Sequence, residues 1–304
     1  MSFYLAIDAG GTNTSFVLAD DDHELTRAST GTIKRMRVDE AIAAARLNKA
    51  LQQLEEQANV SMSDITATCI GTAGNRVPAV AEWLHTALSH RVSGKLLLVG
   101  DVEIALDAAF RGRPGILVLA GTGSNVAART AKGDILTTGG WGPQLAEQGS
   151  GHRIGLMALR AIFLGIDEQQ TTSLLPTILS FWQLDSVDAL VAYANATPPP
   201  DFSTLVRIVD TCAQQGDSLA QAILRQQGEE LGHLVRILIR RMQAHSLNCH
   251  PTIAFAGSVM QSVHSVRDAL TDAIRIDFPE TAFLPGIVDP LQGALWRARQ
   301  LGTS

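Results

Sequence analysis

Short apolar runs alternate with glycine-rich turns in the first third of the chain, and the runs have the length of strands. Residues 3–7, 14–18 and 24–28 are predicted as strands, separated by a turn at Gly10-Gly11 and a second at Asp20-Asp21-Asp22. Residues 38–58 carry apolar positions at helical spacing among Ala, Leu, Glu and Gln, which predicts a helix. A strand at 65–70 runs into Gly71-Thr72-Ala73-Gly74, a helix at 78–89 has Pro78 near its start, and a buried strand at 95–99 is followed at once by Asp101 and a helix at 103–110.

The pattern then restarts. A strand at 115–120, a turn at Gly121-Thr122-Gly123-Ser124, a strand at 125–130 and a turn at Lys132-Gly133-Asp134 repeat the opening unit. The remainder reads as mostly helical. Helices are predicted at 151–164, 203–215 and 217–245, with a break at Pro198-Pro199-Pro200; a strand at 252–256 leads through Gly257-Ser258 into a helix, and 290–300 closes the chain. Strands alternating with helices predict an α/β protein. The restart predicts a duplication, with domains at 1–112 and 113–304 and a cleft between them. The second domain is enlarged by helices, and the last helix is free to pack back on the first.

Composition narrows the function. The 304 residues are 46% hydrophobic and 18% charged, the balance of a folded globular chain. A net charge of −6 gives no reason for binding nucleic acid or an anionic membrane through the overall field, so an anionic ligand needs backbone amides or a metal. No apolar stretch reaches the 18 or so residues of a membrane span, and Asp8 interrupts the apolar N-terminus without a preceding basic segment. Cys69, Cys212 and Cys249 form no disulfide framework and have no metal-ligand spacing; with the rest this points to the cytoplasm. The histidines, His152, His233, His245, His250 and His264 among them, are scattered and read as surface or core residues.

Several segments offer chemistry. In Asp8-Ala9-Gly10-Gly11-Thr12-Asn13, bare backbone amides could cradle phosphate oxygens and Asp8 could hold Mg²⁺; the alternative is a hairpin turn with an Asp cap. Gly121-Thr122-Gly123-Ser124-Asn125 offers the same chemistry at the equivalent place, and two such loops together favour a phosphate chain gripped from both sides. Asp101, beyond a strand, suits a general base or a helix cap. Gly257-Ser258 suits a flat ring lying on backbone, or plain strand-to-helix punctuation. In the loop from Gly139 to Gly151, Trp141 could stack on a sugar and Glu147 could accept from its hydroxyls; the alternative is a buried Trp and an exposed Glu. The motifs of P-loop enzymes, Rossmann folds and serine hydrolases are missing.

In this order, and with Ala213-Gln-Gln-Gly-Asp217 and Gly257-Ser-Val259, these motifs resemble the N-acetylglucosamine kinase group of the BadF/BadG/BcrA/BcrD ATPase family, within the actin-like sugar kinase superfamily, over about residues 4–298. The resemblance implies two ribonuclease-H-like domains, ATP and Mg²⁺ as cofactors, and phosphorylation of the 6-hydroxyl of an amino sugar, N-acetyl-D-glucosamine first and glucosamine as the alternative. It implies nucleotide contacts at Gly10, Gly11, Thr12, Asn13, Gly121, Thr122, Gly123, Ser124, Ser203, Gly257 and Ser258, a metal-associated Asp8, and Asp101 as the base. It implies sugar contacts at Lys34, Gly74, Asp101, Gly140, Trp141 and Glu147, and a homodimer. Two positions depart from the family, which usually has Asp in place of Glu147 and Asn in place of Lys34. A cation at Lys34 disfavours a glucosamine ammonium and would welcome a phosphorylated sugar. Two further branches of the superfamily fit less well. An activator of 2-hydroxyacyl-CoA dehydratases needs cysteines for an iron–sulfur cluster, and the repressor/ORF/kinase group has a cysteine-rich zinc motif. A non-catalytic nucleotide-binding regulator is the remaining alternative.

Overall fold

The opening strand is apolar on both faces because helices cover both sides of its sheet. The computed structural model describes residues 2–75, 77–245 and 251–303. In chain order the strands and helices begin β1 (Phe3–Ala9), β2 (Asn13–Ala19), β3 (Glu24–Gly31), α1 (Glu40–Ala58), β4 (Ile65–Thr72), α2 (Pro78–Ser89), β5 (Lys95–Val99) and α3 (Asp101–Phe110). They continue β6 (Gly115–Ala120), β7 (Ser124–Arg129), β8 (Ile135–Thr138), α4 (Gly151–Asp167), α5 (Leu174–Phe181), α6 (Val187–Ala194) and α7 (Val206–Gln214). The chain ends α8 (Ser218–His245), β9 (Ile253–Ala256), α9 (Ser258–Ser262), α10 (His264–Arg275) and α11 (Pro290–Thr303). The strands form a five-stranded sheet in the order β3-β2-β1-β4-β5 and a four-stranded sheet in the order β8-β7-β6-β9, so the second sheet repeats the order of the first without its fifth strand. The fold is mixed α/β, built from two ribonuclease-H-like sheets.

The chain divides into two units: unit 1 is Met1–Leu117, Arg129–Asp134 and Val288–Ser304, and unit 2 is Val118–Ala128 and Ile135–Ile287. In unit 1, β1 pairs antiparallel with β2 and parallel with β4. Leu5 and Ile7 point to a core shared with Leu47, Leu51 and Leu54 of α1 and Trp83, Leu84 and Leu88 of α2. Tyr4 and Ala6, on the alternate face, pack with Cys69, Ile104 of α3 and Leu291, Leu295 and Ala298 of α11. α3 and α11 cross in close contact: a Cβ on Gly293 would stand 1.7 Å from the Ile104 carbonyl oxygen, so only glycine fits there. A buried ion cluster lies alongside. The Asp107 carboxylate, fully buried on α3, accepts from Arg129 and from Arg297 of α11, and Arg297 also reaches Glu103 at 3.6 Å.

In unit 2, α8 and α10 pack through Gly228 and Gly232, whose Cβ positions would strike the Val266 and Leu270 carbonyl oxygens. Asp217 anchors the helical part. One oxygen accepts from Thr172 Oγ1 (2.7 Å), Ser173 N (2.7 Å) and Ser173 Oγ (2.8 Å), and the other from Ala220 N (3.0 Å). The Ala213–Asp217 motif therefore joins α5 to the start of α8, a structural task.

Some local readings change. The helix expected from 203 begins as a 3-10 turn, Phe202–Leu205, before α7. The helix after Gly257-Ser258 is broken at Val263 into α9 and α10. α3 starts at Asp101, two residues earlier than expected, with Gly100 as its N-cap. α5 and α6 were not predicted. Cys249 and His250 lie outside the described residues.

Candidate functional site

Unit 1 brings together Asp8, the Gly10–Asn13 turn, Lys34, Gly74 and Asp101, on three strand ends and the helix that follows them. Asp8 and Ala9 end β1, in register with Ser15 and Thr14 of β2 and with Gly71 and Thr72 of β4. The turn leaves backbone exposed for a ligand. Gly11 has no atom within 4 Å of its Cβ position, and a Cβ on Gly10 would come within 2.7 Å of the Asn13 carbonyl oxygen. Thr32, just past β3, ties this turn down: its backbone N donates to Thr12 O (2.8 Å) and its Oγ1 to Gly10 O (2.9 Å). The same hydroxyl accepts from Lys34 N at 3.2 Å, which fixes Lys34 beside the turn.

Asp101 is the first residue of α3. Its Oδ1 accepts from Val102 N at 2.9 Å, while the cap is closed by Glu103, whose Oε1 accepts from Gly100 N at 3.2 Å. Glu103 thus serves the N-cap amide and Asp101 a first-turn amide, which leaves Asp101 Oδ2 outside the helix start. Burial, and then the neighbouring Asp101 charge, push the Asp8 carboxyl up to about 6, with Lys34 opposing. A buried carboxylate whose charging is opposed by burial and by a neighbouring carboxylate is a fit for a divalent cation. Among the described residues no group of three or more His, Cys, Asp or Glu could hold a metal, so a cation held at Asp8 would draw its remaining ligands from oxygens other than side-chain carboxylates. Gly74 forms the tight turn after β4 (φ +83°), and Val77 N donates to its carbonyl at 2.8 Å.

The buried charge predicts a trade of stability against function. At pH 7.5, without metal or nucleotide, Asp8→Asn is expected to stabilise the protein by about 1–2 kcal/mol while abolishing turnover. The sign follows from the raised folded-state value. Above about pH 6 the carboxylate carries its full penalty, and as pH falls from 6 to 4 the folded state takes up a proton and the gap to the variant closes. Urea unfolding of both proteins at pH 7.5 and 4.5 checks this; a wild type more stable than the variant at pH 7.5 would sink it.

Unit 2 gathers Gly121, Thr122, Gly123, Ser124, Gly140, Trp141, Glu147, Ser203, Gly257 and Ser258. Gly121 N donates to Gly123 O (2.9 Å), closing the turn between β6 and β7. The start of α4 grips it: Gly151 N donates to Gly121 O (2.7 Å) and His152 N to Thr122 O (3.1 Å), while Ser124 Oγ donates to Gln148 O (2.7 Å). Gly257 (φ +93°) is forced, since a Cβ would stand 2.4 Å from the Ala120 carbonyl oxygen. The Oγ of its neighbour Ser258 lies 3.6 Å from the Gly121 Cβ position, so the turn and the Gly257-Ser258 segment adjoin. Gly257→Ala is expected to raise KM for ATP at least roughly tenfold, with a smaller change in sugar KM, because it displaces the backbone on which a base would lie. Initial rates over an ATP series check this, and an unchanged KM for ATP would refute the placement.

Ser203 sits beside Gly151, its Cβ 3.2 Å from the glycine's Cβ position, with its hydroxyl donating to Asp201 Oδ1 at 2.6 Å. The Gly139–Gly149 loop reverses the bland alternative: Trp141 is 71% exposed, and Glu147 is half-buried against Gly123, its Oε1 3.0 Å from that Cβ position. Gly140 (φ +70°) lies on Asn125, whose Nδ2 would meet a Cβ at 2.6 Å. Asn125 Oδ1 and Gln148 Oε1 are buried with no hydrogen-bond partner, an arrangement uncommon for buried acceptors. Gln148 escaped sequence reading because a lone Gln beside Glu147 carries no motif. A cavity of about 970 Å³ between α7, α8 and α10 of unit 2 is lined by none of these residues.

Comparison with known proteins completes the picture. The chain is 27% identical, over 98% of its length and 99% of the relative's, to an N-acetylmuramic acid/N-acetylglucosamine kinase of Clostridium acetobutylicum. It is 25% identical, over 96% of both chains, to an N-acetyl-D-glucosamine kinase of Dictyostelium discoideum. A Chromobacterium violaceum structure described as a candidate N-acetylglucosamine kinase superposes with a TM-score of 0.77 at 26% identity, covering 99% of each chain. Residues 5–298 match one family across both units, and the chain belongs to the BadF/BadG/BcrA/BcrD ATPase family.

Proposed function

We propose that the protein is an ATP-dependent sugar kinase that phosphorylates the 6-hydroxyl of an N-acetylated amino sugar, N-acetyl-D-glucosamine or a derivative built on it. The observation that carries this reading is Asp101, a carboxylate at the first turn of α3 in the same electrostatic space as Asp8, with the N-cap amide served by Glu103. Asp101 accepts the proton of the sugar hydroxyl as the hydroxyl oxygen bonds to the γ-phosphorus of ATP and the bond from that phosphorus to the bridging oxygen breaks, leaving ADP. Asp8 holds the cation, which when bound neutralises phosphate charge. Within unit 1 the Gly10–Asn13 backbone offers amides to phosphate oxygens; within unit 2 the Gly121–Ser124 backbone offers the same, and Gly257-Ser258 takes the adenosine. Glu147, Asn125 and Gln148 provide acceptors for sugar hydroxyls, and Trp141 provides a stacking face.

The burial of Cys69 and Cys212 in the cores of their units speaks for a kinase over an electron-transfer activator, whose cluster needs accessible thiolates. Burial pushes the Cys69 thiol up to about 12. Lys34 favours an N-acetylated sugar over glucosamine, whose ammonium it would repel. ADP release measured over a panel of glucose, glucosamine and N-acetylglucosamine tests the reading. It expects kcat/KM at least roughly tenfold higher for the N-acetylated sugar than for glucosamine. ATP binding with no sugar-stimulated ADP release would instead mark a nucleotide-binding regulator.

A further inference from the structure

The turn between β3 and α1 is cationic in a chain of net charge −6: Lys34, Arg35 and Arg37 fall within four residues. Arg35 is committed, its Nη2 2.8 Å from Glu40 Oε2. Lys34 is not, since it joins no ion pair within 4.0 Å among the described residues. Its stem lines a small recess with Ala9, Ile33, Thr72, Val80 and Trp83, an apolar setting that anchors the chain and leaves the ammonium to find polar company. That company is Asp101 and Asp8, which attract it, and Arg37, which opposes it; burial is the largest influence and pushes its pKa down. The turn is rigidly placed. Lys34 O accepts from Arg37 N (2.8 Å) and Val38 N (3.1 Å), and Thr32 bonds to both Gly10 and Thr12.

A sugar whose 6-hydroxyl engages Asp101 therefore lies in the field of Lys34. Once Asp101 serves that hydroxyl, its compensation of the ammonium is shared, and Arg37 leaves the turn with surplus positive charge. A neutral substrate leaves a half-desolvated cation poorly matched, whereas an anionic substituent completes it with a charge-assisted hydrogen bond.

We propose that Lys34, with Arg37, forms an anion subsite, and that the sugar phosphorylated by this enzyme carries an anionic substituent, a carboxylate or a phosphate. This inference rests on the sugar-kinase reading above. Lys34 acts as a specificity-determining residue: it reads the substituent, while Asp101 handles the hydroxyl.

The test compares kcat/KM for N-acetylglucosamine, N-acetylmuramic acid as the carboxylate probe and N-acetylglucosamine 1-phosphate as the phosphate probe, in the wild type, Lys34→Met and Arg37→Gln. The expected result is at least a roughly tenfold preference for one anionic sugar over the neutral one, and which probe wins identifies the substituent. Lys34→Met is expected to lower that anionic-to-neutral ratio about tenfold whatever it does to absolute turnover, and Arg37→Gln to lower it less. Calorimetric Kd values for the three sugars without ATP should follow the same order and converge as salt is raised. A neutral sugar used as well as both anionic ones overturns the subsite. So does a Lys34→Met variant that loses activity on all sugars in equal proportion, because Lys34 then only positions Asp101 and Asp8. No sugar-stimulated ADP release from any of the three would instead overturn the kinase reading beneath it.

Discussion

Asp101→Asn is expected to lower kcat by roughly a hundredfold to ten-thousandfold while ATP affinity stays within about twofold. Asn is close in volume and can still accept from Val102 N, as Asp101 does, so α3 keeps its first turn. What is lost is the base. The amide cannot take the hydroxyl proton when the oxygen attacks phosphorus, and only binding and charge stabilisation remain. Because the proposed nucleotide contacts do not include Asp101, the loss is expected to fall on kcat and to spare Kd. Steady-state rates together with calorimetric ATP binding separate the two. A variant retaining wild-type kcat would remove Asp101 from the chemistry.

The second large effect is on stability. Asp107→Ala is expected to destabilise unit 1 by about 3–5 kcal/mol, because it strands the buried Arg129 guanidinium and leaves Arg297 only its longer contact with Glu103 on α3. Breaking a buried pair by removing one partner costs far more than the pair's net worth, since the remaining charge has neither water nor counter-ion. Asp107→Asn is expected to recover only part of the loss, as it restores acceptors without the charge. Calorimetric unfolding of the full chain checks this, with the transition of unit 1 moving down by roughly 6–15 °C. An unchanged transition would mean that the cluster is dispensable and that the tight α3–α11 crossing at Gly293 alone holds the two helices together.

The parts of the molecule that local chemistry dictates were legible in the sequence. The hairpin turns at Gly10-Gly11 and Gly121–Ser124 could be read because tight turns and close backbone approach both demand glycine. The strands of both sheets could be read from short apolar runs. Helices α5 and α6 could not. Pro176 interrupts the short apolar run of α5, and both helices owe their existence to burial of Leu174, Ile178 and Leu190, which only the folded chain reveals. The start of α3 at Asp101 was missed because Asp and Val are poor interior helix formers yet well tolerated in a first turn. The Asp107–Arg129–Arg297 cluster was illegible for a different reason: its partners lie 22 and 190 residues apart, and nothing local pairs them. For the candidate site, the residue types able to carry chemistry could be named from the sequence, and their environments could not. The exposure of Trp141, the orphaned Gln148 oxygen and the isolation of Lys34 from any ion pair among the described residues emerge only from the fold.

The most direct test of the central proposal is to follow the phosphorus. Purified protein incubated with ATP, Mg²⁺ and an N-acetylated amino sugar should produce one equivalent of ADP and one of sugar 6-phosphate, identified by phosphorus NMR of the ester, and Asp101→Asn should abolish both together. Release of inorganic phosphate at the same rate with and without sugar, and no ester at O6, would contradict the account.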